Sequence, residues 1–292
     1  MKFFLSYIPL FELALFNMLL AFSQYVVLRA GVFSLGTAAF AALGAYTSAI
    51  LATKLGMSPW IGMAASLVLG AIAGALVAIP LARLRGVFQA LATLALVQIM
   101  LSITLNWVDV TEGALGINGI PRSVGLFGMF CAVVVVGYFL AVIGASSIGR
   151  AFDVIREDET VAVSLGISVP KYHLIAFILS GSIAGFAGGL HAFSSYSITP
   201  NEYGFHMLVM VLAMVVLGGR VSVWGPVVGA AILTVLPELL RGFQEYRMVM
   251  QGAVLMFAIV FLPRGIVDTA KNIWRARRVA ASEAAKTKAV TV

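Results

Sequence analysis

The charged chemistry of this sequence is concentrated in one place. The stretch GRAFDVIREDETVAVSLGISVPKYH, Gly149 to His173, carries Arg150, Asp153, Arg156, Glu157, Asp158, Glu159 and Lys171. The flanking runs Gly125–Ala145 and Leu174–Leu190 contain no Asp, Glu, Lys or Arg. From about Arg156 to Leu165 the pattern is that of one short amphipathic helix. Val161, Ala162 and Leu165 share a face, and Glu157, Asp158 and Glu159 cluster in the first turn, where the helix dipole favours acids. Gly166 suits the C-terminal stop, and Pro170 prevents continuation into the next segment. A solvated connector needs no apolar face, whereas an apolar stripe rimmed by charge is what a helix docking on another protein presents. Bond-making patterns are absent. There is no His-Glu-x-x-His, Gly-x-Ser-x-Gly or Cys-x-x-Cys, and no Gly-Lys dipeptide from which to build a phosphate-cradling loop. The single cysteine, Cys131, lies in an apolar run and reads as a small packing residue. The expectation is a chain that is not an enzyme, with no metal and no cofactor.

The elements around this stretch are written for lipid. Of 292 residues 61% are hydrophobic and 11% charged. A soluble chain is nearer one-quarter charged, and one soluble core could not hide so much apolar surface. The fold class is therefore all-α, a polytopic transmembrane helix bundle. Runs near 20 apolar residues place spans at 7–28, 32–52, 60–82, 87–106, 126–145, 172–195, 205–219, 225–241 and 247–262. That makes nine segments, within a range of eight to ten. The second and seventh carry glycine signals of a broken or short helix. Apolar character runs to about Leu28, longer than a signal peptide uses, so the first segment reads as an uncleaved span. Residues 1–263 form the membrane domain and 264–292 a basic tail. From Arg264 onward there are seven basic and two acidic residues. The positive-inside rule puts that tail, 83–86 and 146–171 in the cytoplasm, and 107–125 and 196–204 outside. The same count leaves the N-terminus outside, although a re-entrant second segment would reverse that. The tail needs lipid and not nucleic acid as its explanation. Gly62, Ser66, Gly70, Gly74 and Ala78, and again Gly181, Gly185 and Gly189, form small-residue stripes for close helix packing.

Several blocks together resemble one family. GVFSLGTAAFAALGAYTSAIL, RLRGVFQALATLALVQIM, NWVDVTEGALGINGIP, IREDETVAVSLGISVPKYHLIAFILSGSIAGFAGGL and MVVLGGRVSVWGPVVGAAILTVLPELLR resemble the inner-membrane permease subunits of branched-chain amino-acid ABC importers. The likeness is to the LivM/LivH type, closer to LivM, and covers nearly the whole chain. It implies a multi-pass protein of the bacterial inner membrane that moves branched-chain amino acids or related small amino acids and amides. It also implies two cytoplasmic ATP-binding subunits, a sister permease and an extracytoplasmic solute-binding protein. On this likeness 146–171 is the coupling loop, with Arg156, Glu157, Asp158, Glu159, Val161, Ala162, Leu165 and Gly166 meeting the ATPase. The sequence departs from the family at Thr37, where His or Gln is usual, and at Arg220-Val221, where Leu-Gly is usual.

Thr37, Tyr46, Thr93 and Gln98 interrupt apolar faces and are candidates for the substrate pathway, with helix-packing polarity as the other reading of each. The competing function is an ion-coupled secondary transporter, for which the isolated carboxylate of Glu12 would be essential. Glu12 has no charged partner in another predicted span and reads as structural. His191 and His206, near the outer ends of the sixth and seventh spans, read as boundary residues.

Overall fold

A computed structural model describes residues 7–239, 252, 256 and 265–271. Its helices follow the apolar runs closely: α1 (Ile8–Arg29), α2 (Thr37–Thr53), α3 (Pro59–Leu81), α4 (Val87–Asn106), α5 (Leu126–Ala145), α6 (Ser147–Glu157), α7 (Glu159–Ser164), α8 (Val169–Ser194), α9 (Phe205–Gly218) and α10 (Trp224–Leu239). Among the described residues, six helices are long and apolar enough to cross a membrane. One of these takes in the short turn Pro200–Tyr203 ahead of α9, and two further apolar helices, α2 and α10, are shorter. The expected ninth segment, 247–262, and most of the expected tail, 264–292, fall outside the described residues.

The bundle is built around α8. In lipid there is no hydrophobic drive between helices, so association rests on close van der Waals packing, which small residues permit. All five members of the stripe on α3, Gly62 through Ala78, are buried. A Cβ at Gly70 would collide with the carbonyl oxygen of Gly181, and one at Gly181 with that of Gly70; Gly74 meets the Phe177 carbonyl in the same way. On another side of α8, a Cβ at Gly188 would strike the Ala41 carbonyl of α2, and one at Gly44 the Gly185 carbonyl. Helix α8 is thus held backbone to backbone on two sides. With α1 it is the most enclosed span, while α5 faces outward along most of its length.

Contacts at the helix ends sort the loops into two groups. Arg85 reaches Glu159, and the amides of Val221 and Ser222 donate to Asp268 beside the end of α1. The turn at 83–86, the 146–168 loop and residues 265–271 therefore share one end of the bundle. At the other end a two-residue antiparallel pair joins β1 (Ile117–Asn118) to β2 (Ser197–Ile198), and Lys54 donates to the Asp109 carbonyl. Helix α1 begins at this second end and finishes at the first, where Arg29 meets Asp153.

Substitution at the seam gives a direct test. Gly181→Ala should destabilise the chain by about 1–3 kcal/mol through overpacking. Gly125→Ala should be neutral, because a Cβ there meets nothing within 4 Å. Thermal melts of the two variants in detergent, monitored by size exclusion, would show the difference.

Candidate coupling site

The charged loop folds as two helices rather than one. Ser146 starts α6, its hydroxyl accepting from the Ile148 amide at 3.2 Å. A Cβ at Gly149 would collide with the Gly144 carbonyl, so glycine permits the tight corner after α5. Ala151, Phe152 and Ile155 are buried, and Phe152 sits edge-on to Tyr172 of α8 with ring centroids 6.2 Å apart. The amphipathic surface expected at 156–165 thus lies largely one helix earlier and faces the bundle.

The break falls at Asp158. Its backbone is extended (φ −158°, ψ 116°), and its carboxylate accepts from the amides of Thr160 at 2.7 Å and Val161 at 3.2 Å. An Asp offers its own side chain to free amides more readily than it continues a helix. Hydrogen bonding from Thr160, side chain and amide, and from the Val161 amide holds this carboxyl below the usual carboxylate range. The expectation of three acids in one first turn is therefore corrected. Glu157 ends α6, Asp158 caps α7, and only Glu159 lies in the first turn of α7.

The stop at Gly166 matches its expectation. Its φ is +77°, and a Cβ placed there would meet nothing within 4 Å, so it is conformation and not space that asks for glycine. The Gly166 amide donates to the Val163 carbonyl and the Ile167 amide to the Ala162 carbonyl, both at 2.9 Å, which is the Schellman arrangement. The expected docking face needs a second correction. Ala162 is fully buried within the chain, whereas Val161 is 51% and Leu165 66% exposed. In so short a helix one face must rest on the bundle, and the smallest residue takes it.

The loop is fastened to α1. Arg29 Nε and Nη2 donate to the two carboxylate oxygens of Asp153 at 3.0 and 2.9 Å, a bidentate pair. The same guanidinium donates to the Tyr25 hydroxyl and the Gly144 carbonyl. Tyr25 in turn donates to the Val221 carbonyl, and Asp268 accepts from the Val221 and Ser222 amides. Arg156 pairs with Asp153 and Glu157, and its Cα lies 3.2 Å from where a Cβ on Gly31 would stand. Gly31, at φ +81°, lets the chain turn out of α1 against this contact. On the other flank Arg85 is 3.6 Å from Glu159.

The four pathway candidates do not converge. Residues 32–35 have irregular backbone, and such backbone at membrane depth must be satisfied within protein. Thr93 does this by accepting from the Leu35 amide at 2.8 Å, and Gln24 by donating to the Ser34 carbonyl at 2.6 Å. Thr37 donates to the other end of the Gln24 amide at 2.6 Å. Thr37 and Thr93 are thus buried ties of the broken second segment. Tyr46 is buried, and its hydroxyl has no hydrogen-bond partner among the described residues. Gln98 is exposed on the outward side of α4.

The family described as "Branched-chain amino acid transport system / permease component" matches residues 10–259. The chain belongs to that family. It is 33% identical over 277 residues to the high-affinity branched-chain amino acid transport system permease proteins LivM of Salmonella typhimurium and Escherichia coli, covering 83% of this chain. The chain spans only 65% of the length of those two relatives. A probable branched-chain amino acid transport permease protein LivH of Methanocaldococcus jannaschii is 26% identical, covering 78% of this chain and 80% of its own length. The autoinducer 2 import system permease protein LsrC of an Escherichia coli strain is 28% identical over 70% of this chain and 64% of its own. No solved structure matches.

Within this chain, Arg29, Asp153, Tyr25, Gln24 and Asp268 are the residues that sequence reasoning did not assign. A lone arginine at the end of an apolar span was a signal for the first, because such a charge must find a partner. Two tests follow from the geometry. Asp158→Ala should raise amide exchange across 160–164 several-fold at pH 7, while Asp158→Asn, still a capping residue, should stay near wild type. Because the carboxyl is depressed in the fold, its contribution is complete above the ordinary aspartate range, near about pH 4, and is lost as pH falls through the lowered value. Second, Arg29→Gln should cost about 1–3 kcal/mol in a thermal melt, less than for a fully buried pair because Asp153 is 37% exposed.

Proposed function

We propose that this chain is the membrane permease subunit of an ATP-binding-cassette importer, and that α7 is the helix on which a cytoplasmic ATPase subunit acts. The observation that carries this reading is the pair Val161 and Leu165. They are one helical turn apart and exposed, on a helix whose ends are fixed by Asp158 and Gly166 and which follows directly on α6, itself tied to α1 through Arg29 and Asp153. A partner that moves α7 pulls on membrane helices through an ion pair and not through slack loop. The two groups of loops support a topology with 83–86, 146–168 and 265–271 in the cytoplasm and with the N-terminal end of α1 outside. The surface of α3, α4 and α5 carries large exposed apolar residues such as Leu76, Ile99 and Phe127. It is suited to acyl chains and to a sister permease. A second permease, two ATP-binding subunits and an extracytoplasmic binding protein complete the assembly. The relatives support branched-chain amino acids as cargo, with related small amino acids or amides within the same reading.

The test is purification with the ATPase. Val161→Arg combined with Leu165→Arg should reduce co-purified ATPase at least about tenfold, the size of effect expected at a buried hot spot, and should abolish uptake in proteoliposomes while the chain still inserts. If both arginines are tolerated with full uptake, α7 is not the docking helix. Ala162→Arg is a poorer probe, because it would force a charge into the chain's own packing.

A further inference from the structure

The end of the bundle opposite α7 contains a cavity of about 470 Å³, within the range of small-molecule sites. Three helices and one short turn build it. Phe16 and Asn17 come from α1, His191 from α8, Glu202 from the turn Pro200–Tyr203, and His206 with three methionines from α9. The polar groups gather at the mouth. The floor is apolar: Met207, Met210 and Met214 recur along one side of α9, and Met214 lies about 12 Å, or roughly two turns, deeper than His206.

The mouth presents both poles of a recognition site. Glu202 is the acidic member of the lining. One of its oxygens accepts from the Thr199 hydroxyl at 3.1 Å, and the other lies 3.8 Å from His191 Nε2. That second separation is too long for a hydrogen bond, so the oxygen keeps capacity to accept from a cationic donor. His191 is fixed by stacking on Phe16, with centroids 4.1 Å apart and planes 11° apart. His206, on the neighbouring helix, supplies ring N–H donation to an anion. A ligand bearing one charge would engage one pole and leave the other to solvent, whereas a ligand bearing both charges engages the two together. A wholly polar ligand would leave the methionine floor wet. Methionine is flexible and polarisable and adapts to branched aliphatic groups.

We infer that this cavity binds a small zwitterion with an apolar side chain, an ammonium toward Glu202, a carboxylate toward His206 and the side chain on the methionines. It is then the place where the permease itself meets its cargo at the outer end. The inference deepens the importer reading and takes from it only the choice of L-leucine as probe.

The experiment is protection of a cysteine. Ser195, which also lines the cavity, is replaced by cysteine in a Cys131→Ser background, and the full chain is placed in lipid nanodiscs and treated with a maleimide. With L-leucine at about 10 mM, a site with a Kd near about 1 mM should slow labelling about tenfold, since the unliganded fraction scales as 1/(1 + [L]/Kd). Isocaproate, which keeps only the carboxylate, and isoamylamine, which keeps only the amine, should leave the rate nearly unchanged. Glu202→Gln should remove the leucine protection without changing the unliganded labelling rate. His206→Phe, at the opposite pole, should do the same and serves as the second variant if the first fails to fold. The inference is overturned if leucine gives no protection, if either single-charge analogue protects as well as leucine, or if protection survives both substitutions. The readout needs no ATPase. Protection by leucine in a chain whose α7 variants keep full ATPase binding and uptake would retain the site and remove the coupling assignment. Full uptake lost only by the α7 variants, with no protection by leucine, would do the reverse.

Discussion

The contact between the backbones of α3 and α8 is the one on which the other packing depends. Where solvent is lipid, two helices gain little from hiding apolar side chains from each other. They gain from surface brought within van der Waals range, and that requires removing side chains from the seam. Gly70, Gly74 and Gly181 do this, each standing where a methyl group would meet a carbonyl oxygen of the facing helix. Once α8 is fixed against α3, Gly188 sets α2 against another side of it, and α1 closes beside them. Helices α9 and α10 form a second seam of the same kind, where a Cβ at Gly229 would strike the Met214 carbonyl and one at Gly218 the Gly225 carbonyl.

The same scarcity of water shapes the polar interior. Backbone at 32–35 leaves the helical ladder, and Gln24 and Thr93 stand in for the missing partners. Ser23 of α1 donates to the Ser180 carbonyl of α8 at 2.8 Å, a further cross-link between the two enclosed spans. At the end of the bundle that carries the 146–168 loop the theme becomes ionic. Arg29 binds Asp153 in a fork and relays through Tyr25 to the loop after α9, so elements distant in sequence form one connected polar network. Such a network is rigid while every member is satisfied.

How much of this could be read from the sequence depended on the range of the interaction. Helix positions follow from apolar runs: among the described residues six are long enough to span and two are shorter, and their starts fall within three residues of expectation, save α2, which begins five residues late because its glycine-rich opening is irregular. The stop at Gly166 was legible because it is a local conformational demand. The split of the charged loop was not. Three successive acids suit a first turn by charge alone, and nothing in their order says that the middle one will bend back to cap. The orientation of Ala162 depends on where α8 lies, and the pairing of Arg29 with Asp153 spans 124 positions. Thr37 and Thr93 were visible as polar interruptions, but the atoms they serve belong to other segments. His191 read as a boundary residue for the same reason, since the turn that brings Glu202 within 3.8 Å of it is invisible in a hydropathy profile.

Helix α7 contains its own start and its own stop. Asp158 supplies the first and Gly166 the second, and between them the six residues Glu159–Ser164 take their shape with one small side chain turned to the bundle. The outward residues Val161 and Leu165 set none of that geometry. The identity of the exposed pair is therefore free to drift in step with whatever surface it meets, while the backbone that carries it stays unchanged. Rewriting those two letters would leave the transmembrane architecture untouched.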